Sequence, residues 1–210
     1  MYKGTSASAG IGIGKAVIVE EAELVITRQA VSDGEAEIQR FKGALEQTIK
    51  DTERLAEDLA VRVGEKEAEI MQGHMMLLSD PMLTGEIENS IKNDGVNSEF
   101  AIENVCNMYA DMFASMGDEL MQQRATDMRD IKTRMQRVLM GIQSVDISSL
   151  PAGSILVAKD LTPSMTAGIN PANVTGIVTE LGGRTSHSAI LARALEIPAV
   201  VSVNSFIEGV

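Results

Sequence analysis

Near its end the chain reads Gly182-Gly183-Arg184-Thr185-Ser186-His187, followed by Ser188-Ala189-Ile190-Leu191-Ala192-Arg193. The preceding residues 174–179 (VTGIVT) are rich in β-branched side chains and predict a strand, whereas apolar residues at helical spacing predict a helix over 190–195. The stretch is therefore a strand-to-helix connection. Its glycine pair allows a sharp turn, and Thr185 or Ser186 can cap the helix.

The position of His187 in this connection indicates phosphoryl chemistry. It falls in or beside the first helical turn, where free backbone N–H groups and the helix dipole favour an anion. Arg184 adds a forked cation suited to phosphoryl oxygens, and a neutral imidazole can attack phosphorus. The alternative is a capped turn with an incidental histidine, which is common when a Ser-His pair stands alone.

Composition limits the classes of function. No apolar run approaches the roughly 18 residues of a membrane span, and the net charge of -12 argues against nucleic acid and anionic membrane as partners. The acidic charge is concentrated between residues 33 and 142, which hold 12 basic and 22 acidic residues. A lone cysteine, Cys106, fits a reducing compartment, and we predict a cytoplasmic protein.

Apolar residues recur at helical spacing through this acidic segment and predict a bundle of five helices. The first starts near Asp33, and the others cover 67–78, a short run through Leu83, Ile87 and Ile91, a segment ending near Gly117, and 119–142. Strand-like stretches return after residue 145. The opening strand at 16–19 is too short to stand alone, so we expect it to join the later sheet, with the helical block as an insertion.

The motif GGRTSHSAILAR closely resembles the phosphohistidine signature of the phosphoenolpyruvate-utilising enzymes. The opening SAGIGIGKA and the inserted helices resemble the Enzyme I branch of that family, from the sugar phosphotransferase system. The resemblance implies an α/β phosphohistidine (swivelling) domain at 1–28 and 145–210 with an inserted all-α bundle at 32–143. It also implies that His187 carries a phosphoryl group from phosphoenolpyruvate to the phosphocarrier protein HPr.

The resemblance assigns supporting roles around His187. Residues 160–166 (DLTPSMT) are similar to a family segment whose last threonine lies by the active histidine, so Thr166 is the candidate for fixing the imidazole tautomer. Arg184 and the backbone amides of Gly183, Thr185 and Ser186 would offset charge on the phosphoryl group.

Two further stretches resemble family segments that dock HPr. They are 73–80 (GHMMLLSD) and 124–131 (RATDMRDI), and eleven of the 13 methionines lie in the same region, between Met71 and Met140. We expect part of the Met75–Leu78 cluster to be exposed and most of the methionines to fill the core. The predicted contact residues are Met76, Leu77, Asp80, Leu83, Met121, Arg124, Glu65 and Glu67. His74 is predicted to be structural or solvent-facing, and no metal site is expected.

The family's full enzyme has a C-terminal barrel domain that holds the phosphoenolpyruvate and Mg2+ sites, and we expect this chain to be a fragment without that barrel. It would exchange phosphoryl groups with phospho-HPr but would not use phosphoenolpyruvate alone. The α/β domain is expected to be truncated at its end, and the fragment to be monomeric although the full-length enzyme forms homodimers. Two alternatives stay open: the swivelling domain of a pyruvate phosphate dikinase-like enzyme, and a non-catalytic acidic helical adaptor.

Overall fold

The computed structural model describes residues 2–204, 206 and 207. The ends of the predicted α/β domain, at residues 1, 205 and 208–210, lie outside the described residues. The strands are β1 (Thr5–Ser8), β2 (Lys15–Ile18), β3 (Ser154–Ala158), β4 (Val174–Thr179) and β5 (Ala199–Val201). The helices are α1 (Gly34–Arg62), α2 (Glu65–Leu78), α3 (Pro81–Asp94), α4 (Ser98–Ser115), α5 (Glu119–Met140), α6 (Pro163–Ala167) and α7 (His187–Ala194).

The strands form one five-stranded sheet in the order β1-β5-β4-β3-β2. Strand β2 pairs in parallel with β3, from Lys15 opposite Ser154 to Ile18 opposite Val157. This pairing confirms that the opening strand joins the later sheet. Strand β1 was not predicted, and it pairs antiparallel with β5 at the other edge.

The sheet and its short helices enclose the smaller core of the chain. Buried apolar side chains of strands β3 to β5 meet those of α7, as Leu156, Ile177 and Ala192 illustrate. Helix α7 also contacts β1, β5 and α6. The predicted α/β arrangement is therefore correct, and it fixes the strand-to-helix connection that carries His187.

Helices α1 to α5 form the bundle because their apolar stripes face inward and their ends are capped. The Asp33 carboxylate accepts from the Ala36 amide at 3.0 Å, and the Asp80 carboxylate accepts from the Met82 amide at 2.8 Å. Gly95 and Gly141 end α3 and α5 in the left-handed conformation, at φ 61° and 66°. The predicted helix order and approximate bounds are confirmed.

The methionines divide differently from the prediction. Met71, Met128 and Met135 fill the core of their region. Six of the eleven are instead exposed: Met76, Met82, Met108, Met112, Met116 and Met140. The prediction that most are core residues is wrong, because the interior positions of the bundle are occupied largely by Ile, Leu, Ala and Phe side chains.

The chain divides into two compact units, and their bounds differ from those predicted. A sheet unit comprises Met1–Ala22, Glu57–Ala68 and Val145–Val210, and a helical unit comprises Glu23–Ala56 and Glu69–Ser144. Residues 57–68, predicted as part of the helical insertion, group with the sheet unit. Within this unit the Arg62 guanidinium donates to the carbonyl oxygens of Ala167 and Ile169. No described helix is long and apolar enough to cross a membrane.

Candidate functional site: a capped strand-to-helix turn

The turn between β4 and α7 is fixed by hydroxyl groups and one glycine. The Thr179 hydroxyl donates to the Leu181 carbonyl at 2.6 Å, and the Ser202 hydroxyl donates to the Gly182 carbonyl at 2.7 Å. Gly182 adopts φ +94°, a conformation that side chains disfavour. Ser186 caps α7, since its hydroxyl accepts from the Ala189 amide and donates to the Gly183 carbonyl at 2.8 Å. The cap was one of the two residues predicted.

His187 is the first residue of α7 and is 8% exposed. The hydroxyl groups of its sequence neighbours Ser186 and Ser188 lie 2.9 Å apart, so polar side chains flank His187 on both sides in the sequence. Helix α7 runs away from this position, and the backbone N–H groups of its first turn point back toward the turn. His187 thus begins the helix at the positive end of its dipole, as the sequence predicted.

Thr166 lies in α6, which packs against α7, and is fully buried. Its hydroxyl hydrogen is committed to the Thr162 carbonyl oxygen, at 2.8 Å. The hydroxyl oxygen keeps lone pairs that can accept a hydrogen bond. Thr166 can therefore support an imidazole only as an acceptor, which would require an N–H on the facing ring nitrogen.

Arg184 is exposed and is directed toward β1. Its Nε donates to the Ser6 carbonyl at 3.2 Å. Arg193 Nη1 donates to the carbonyls of Ala7 and Arg184, each at 3.0 Å, and so ties the same turn to β1. Thr185 is exposed, and Gly183 has open space around its Cα. Arg184 thus has a backbone contact that sequence reasoning did not predict.

Asp160 lies at this turn, although the sequence analysis assigned it no role. A Cβ added at Gly182 would lie 3.7 Å from the Thr179 and Ser186 hydroxyl oxygens and 3.9 Å from Asp160 Oδ1, so these groups converge on one point. Loss of water around the carboxyl group raises the pKa of Asp160, while a 2.8 Å hydrogen bond from the Leu161 amide opposes the rise. The position of Asp160 just after β3 could have predicted its place at the site, because ligand sites gather at the carboxyl ends of parallel strands.

The predicted docking residues divide between the two compact units. Met76 is 70% exposed, while Leu77, Asp80, Met121 and Arg124 are half-buried, and all five belong to the helical unit. Exposure of Met76 confirms that part of the Met75–Leu78 cluster reaches the surface. Glu65 is exposed and Glu67 is half-buried, and both belong to the sheet unit.

Leu83 contradicts its predicted role as a contact residue. It is 2% exposed and packs in the core of the helical unit with Ile87 and Ile91. The spacing of four residues along α3 places all three on one inward face. Leu83 is therefore a core residue.

The described residues offer no alternative reactive centre in the helical unit. Burial raises the pKa of the Cys106 thiol to about 12, so the thiol stays protonated and unreactive. Among the residues that the structure describes, no group of three or more His, Cys, Asp or Glu side chains could hold a metal ion. Cys106 is a packing residue, as predicted.

Comparison with known proteins assigns the chain to a family. Residues 3–124 match the family described as PEP-utilising enzyme, N-terminal, and residues 150–208 match PEP-utilising enzyme, mobile domain. The chain therefore belongs to the phosphoenolpyruvate-utilising enzymes and has the features of the N-terminal part of Enzyme I.

Individual relatives narrow this assignment. The chain is 43% identical to the phosphoenolpyruvate-protein phosphotransferase of Bacillus subtilis, over 97% of this chain and 36% of that protein. It is 44% identical to the protein of the same name from Listeria monocytogenes, over 95% and 35%. The chain thus spans about a third of the length of these relatives.

Solved structures agree with the fold. An NMR solution structure of Enzyme I (nEIt) superposes with a TM-score of 0.84 at 41% identity, covering 98% of this chain and 84% of that one. The N-terminal domain of Enzyme 1 - Nitrogen superposes with a TM-score of 0.66 at 27% identity, covering 96% and 83%. The sheet with inserted helices is therefore the Enzyme I N-terminal fold.

Proposed function

We propose that this chain carries a phosphoryl group on His187 and exchanges it with a histidine of HPr, which docks on the acidic helices. The observation that carries the proposal is the capped glycine turn that puts His187 at the first position of α7. It places a potential nucleophile beside amides that favour phosphate. The membership of the chain in the phosphoenolpyruvate-utilising family supports the same chemistry.

The exchange is a substitution at phosphorus. The lone pair of one imidazole nitrogen of His187 forms a P–N bond to the phosphoryl group. At the same time the P–N bond to the histidine of phospho-HPr breaks, and the imidazole of HPr keeps the bonding electron pair. The attacking nitrogen must be unprotonated, so the other nitrogen carries the hydrogen. Thr166 would hold this tautomer by accepting that hydrogen, since its own hydroxyl hydrogen is donated to Thr162.

Charge on the phosphoryl group would be met by the backbone of the turn. The amides of Gly183 and Thr185 precede the helix, and the α7 dipole adds a partial positive charge. The Ser186 amide donates to the Gly183 carbonyl at 3.1 Å and would turn from it to reach a phosphoryl oxygen. Arg184 would contribute through its terminal nitrogens, because its Nε is already bonded to the Ser6 carbonyl.

Docking would combine apolar contact with charge attraction. Met76 supplies exposed apolar surface beside the half-buried Asp80. The excess of acidic residues between 33 and 142 suits a basic partner, for which complementary charge mainly raises the association rate. We include Leu77, Met121 and Arg124 in the docking surface and leave Leu83 out.

The proposal includes phosphoenolpyruvate and Mg2+ only because the chain is similar to part of longer phosphoenolpyruvate-protein phosphotransferases. The described residues do not form a cluster that fits Mg2+, so we derive no step through the metal. We propose that both are bound by a domain that these residues do not include.

Mass spectrometry after incubation with phospho-HPr tests the function. We expect one added phosphate on His187, no phosphate on the His187→Ala variant, and none on wild type incubated with phosphoenolpyruvate and Mg2+ alone. Labelling of His187 by phosphoenolpyruvate alone would contradict the proposal that a different domain binds phosphoenolpyruvate. Binding of HPr without transfer would favour a helical adaptor, and the absence of both binding and transfer would favour a dikinase-like domain.

A further inference from the structure

The second histidine of the chain lies between two carboxylates inside the helical unit, and one of them is within hydrogen-bonding distance. His74 of α2 is fully buried, and its Nε2 lies 3.2 Å from Asp127 Oδ1. Its Nδ1 lies 3.9 Å from Oδ2 of Asp130. Both aspartates are 4% exposed and belong to α5. Because a carboxylate oxygen only accepts, Nε2 carries a hydrogen and donates it to Asp127.

The other oxygen of Asp127 faces an arginine at the surface. Arg124 Nη1 lies 3.5 Å from Asp127 Oδ2, and the Arg124 side chain is 32% exposed while that of Asp127 is 6% exposed. The two residues are three apart on α5 and therefore share one face. The carboxylate thus connects a buried imidazole to a partly exposed guanidinium.

Gly73, next to His74, makes room for this guanidinium. A Cβ at position 73 would clash with Arg124 Nη1, so the arginine rests against α2 where that helix has no side chain. Glycine in a helix interior is destabilising relative to alanine. The close approach of Arg124 gives that cost a physical reason.

We infer that Gly73, His74 and Asp127 are positioning residues, which hold Arg124 at the surface so that it can bind an anionic group on the docked partner. The inference rests on the proposed docking of HPr. An arginine that is already held loses less conformational entropy on binding than a free one. His74 stabilises the orientation of Asp127, and Asp127 and Gly73 fix that of Arg124.

The Gly73→Ala variant tests this because it separates binding from stability. The added methyl must displace the end of the flexible Arg124 side chain, and no backbone atom is among its close contacts. We expect the melting temperature to rise and the affinity for HPr to fall about three- to tenfold, the loss of one pre-ordered side chain. The matched control is Gly43→Ala in α1, where a Cβ meets nothing within 4 Å. It should raise the melting temperature and leave the affinity unchanged.

A double mutant shows whether the effect acts through the arginine. In an Arg124→Ala background, Gly73→Ala and Asp127→Asn should not weaken binding further, since residues that act through one group are non-additive. Binding by Gly73→Ala as tight as wild type, or a full additional loss in the Arg124→Ala background, would overturn the inference. Titrating both HPr and phospho-HPr identifies the anion, because a larger loss with phospho-HPr indicates its phosphoryl group and equal losses indicate a carboxylate.

A measurement on the free protein keeps this test separate from the docking proposal. Failure of wild type to bind either form of HPr would refute docking. NMR signals of the Arg124 side-chain N–H groups would still report its placement, and we expect restricted rotation in wild type and Gly43→Ala but averaged signals in Gly73→Ala and Asp127→Asn. Averaged signals in wild type would overturn the positioning role.

Discussion

The two histidines of the chain are both buried, but they are held by different kinds of structure. His187 follows a turn shaped mainly by short-range contacts, at Thr179, Gly182 and Ser186, with the Ser202 hydroxyl added from further along the chain. His74 sits in mid-helix and is held by carboxylates 53 and 56 residues further along the chain. Backbone conformation places the first ring, whereas side-chain pairing holds the second. Mutations at the two positions should therefore differ in kind as well as in size.

The largest expected effect comes from exchanging each histidine for alanine. His187→Ala should abolish phosphoryl exchange, a loss of more than about 10³-fold because the nucleophile is gone, while Ser186 and Gly182 keep the turn folded. His74→Ala should lower the free energy of unfolding by about 1–3 kcal/mol, the usual cost of leaving a buried polar group without its hydrogen-bond partner. Exchange assays and urea unfolding check the pair. Equal destabilisation by both variants would mean that the two histidines contribute to folding in the same way.

The dependence of the helical unit on side-chain packing is tested at Leu83. Leu83→Ala should cost about 2–5 kcal/mol of unfolding free energy because it leaves a cavity in the core. Met76→Ala, at a residue 70% exposed, should change stability by less than about 0.5 kcal/mol and instead weaken HPr binding. Urea unfolding and titration calorimetry of both variants give the comparison. A Leu83→Ala variant as stable as wild type would return Leu83 to the docking surface.

Features with local causes could be predicted from the sequence. The caps at Asp33 and Ser186 and the helix end at Gly95 depend on residues within one turn. The error at Leu83 came from resemblance, since its spacing from Ile87 and Ile91 already indicated an inward face.

Features that depend on distant contacts could not be predicted. Strand β1 (TSAS) has no apolar alternation and exists because β5 provides a pairing edge. Residues 57–68 group with the sheet unit, in which Arg62 donates to carbonyls more than 100 residues away. In the same way, the bond from Arg184 to Ser6 and the partners of His74 join segments whose proximity no local pattern reveals.

A smaller effect is expected where backbone conformation holds the site. Gly182→Ala should cost about 1–2 kcal/mol, since a side chain at φ +94° is strained, and it should slow exchange by shifting His187. Gly183→Ala is the matched control for stability, because its Cβ meets nothing within 4 Å and its φ is not positive. Thermal unfolding compares the two. If both alanines are tolerated equally, the left-handed turn does not determine the position of the ring.

The smallest effect concerns pH and the ion pairs of the helical unit. Burial alone would raise the pKa values of Glu37 and Glu99, but hydrogen bonds and charge from Arg40 bring both below the ordinary value of 4.5. Arg40 Nη2 lies 2.7 Å from an oxygen of each. Because the folded-state pKa is depressed, the stabilisation is complete above pH 4.5 and is lost as the pH falls through the folded-state values.

Arg40→Met should therefore be less stable than wild type at neutral pH, by at most about 1 kcal/mol because solvent screens a partly exposed pair. The difference should shrink as the pH falls through the lowered folded-state pKa values, because the carboxylates of wild type then become protonated. Urea unfolding of both proteins across this range measures it. A difference that stays constant into strong acid would mean that Arg40 stabilises the helices by packing rather than by charge. In that case, the contrast between a unit held by paired side chains and a turn held by its backbone would depend on His74 and its aspartates alone.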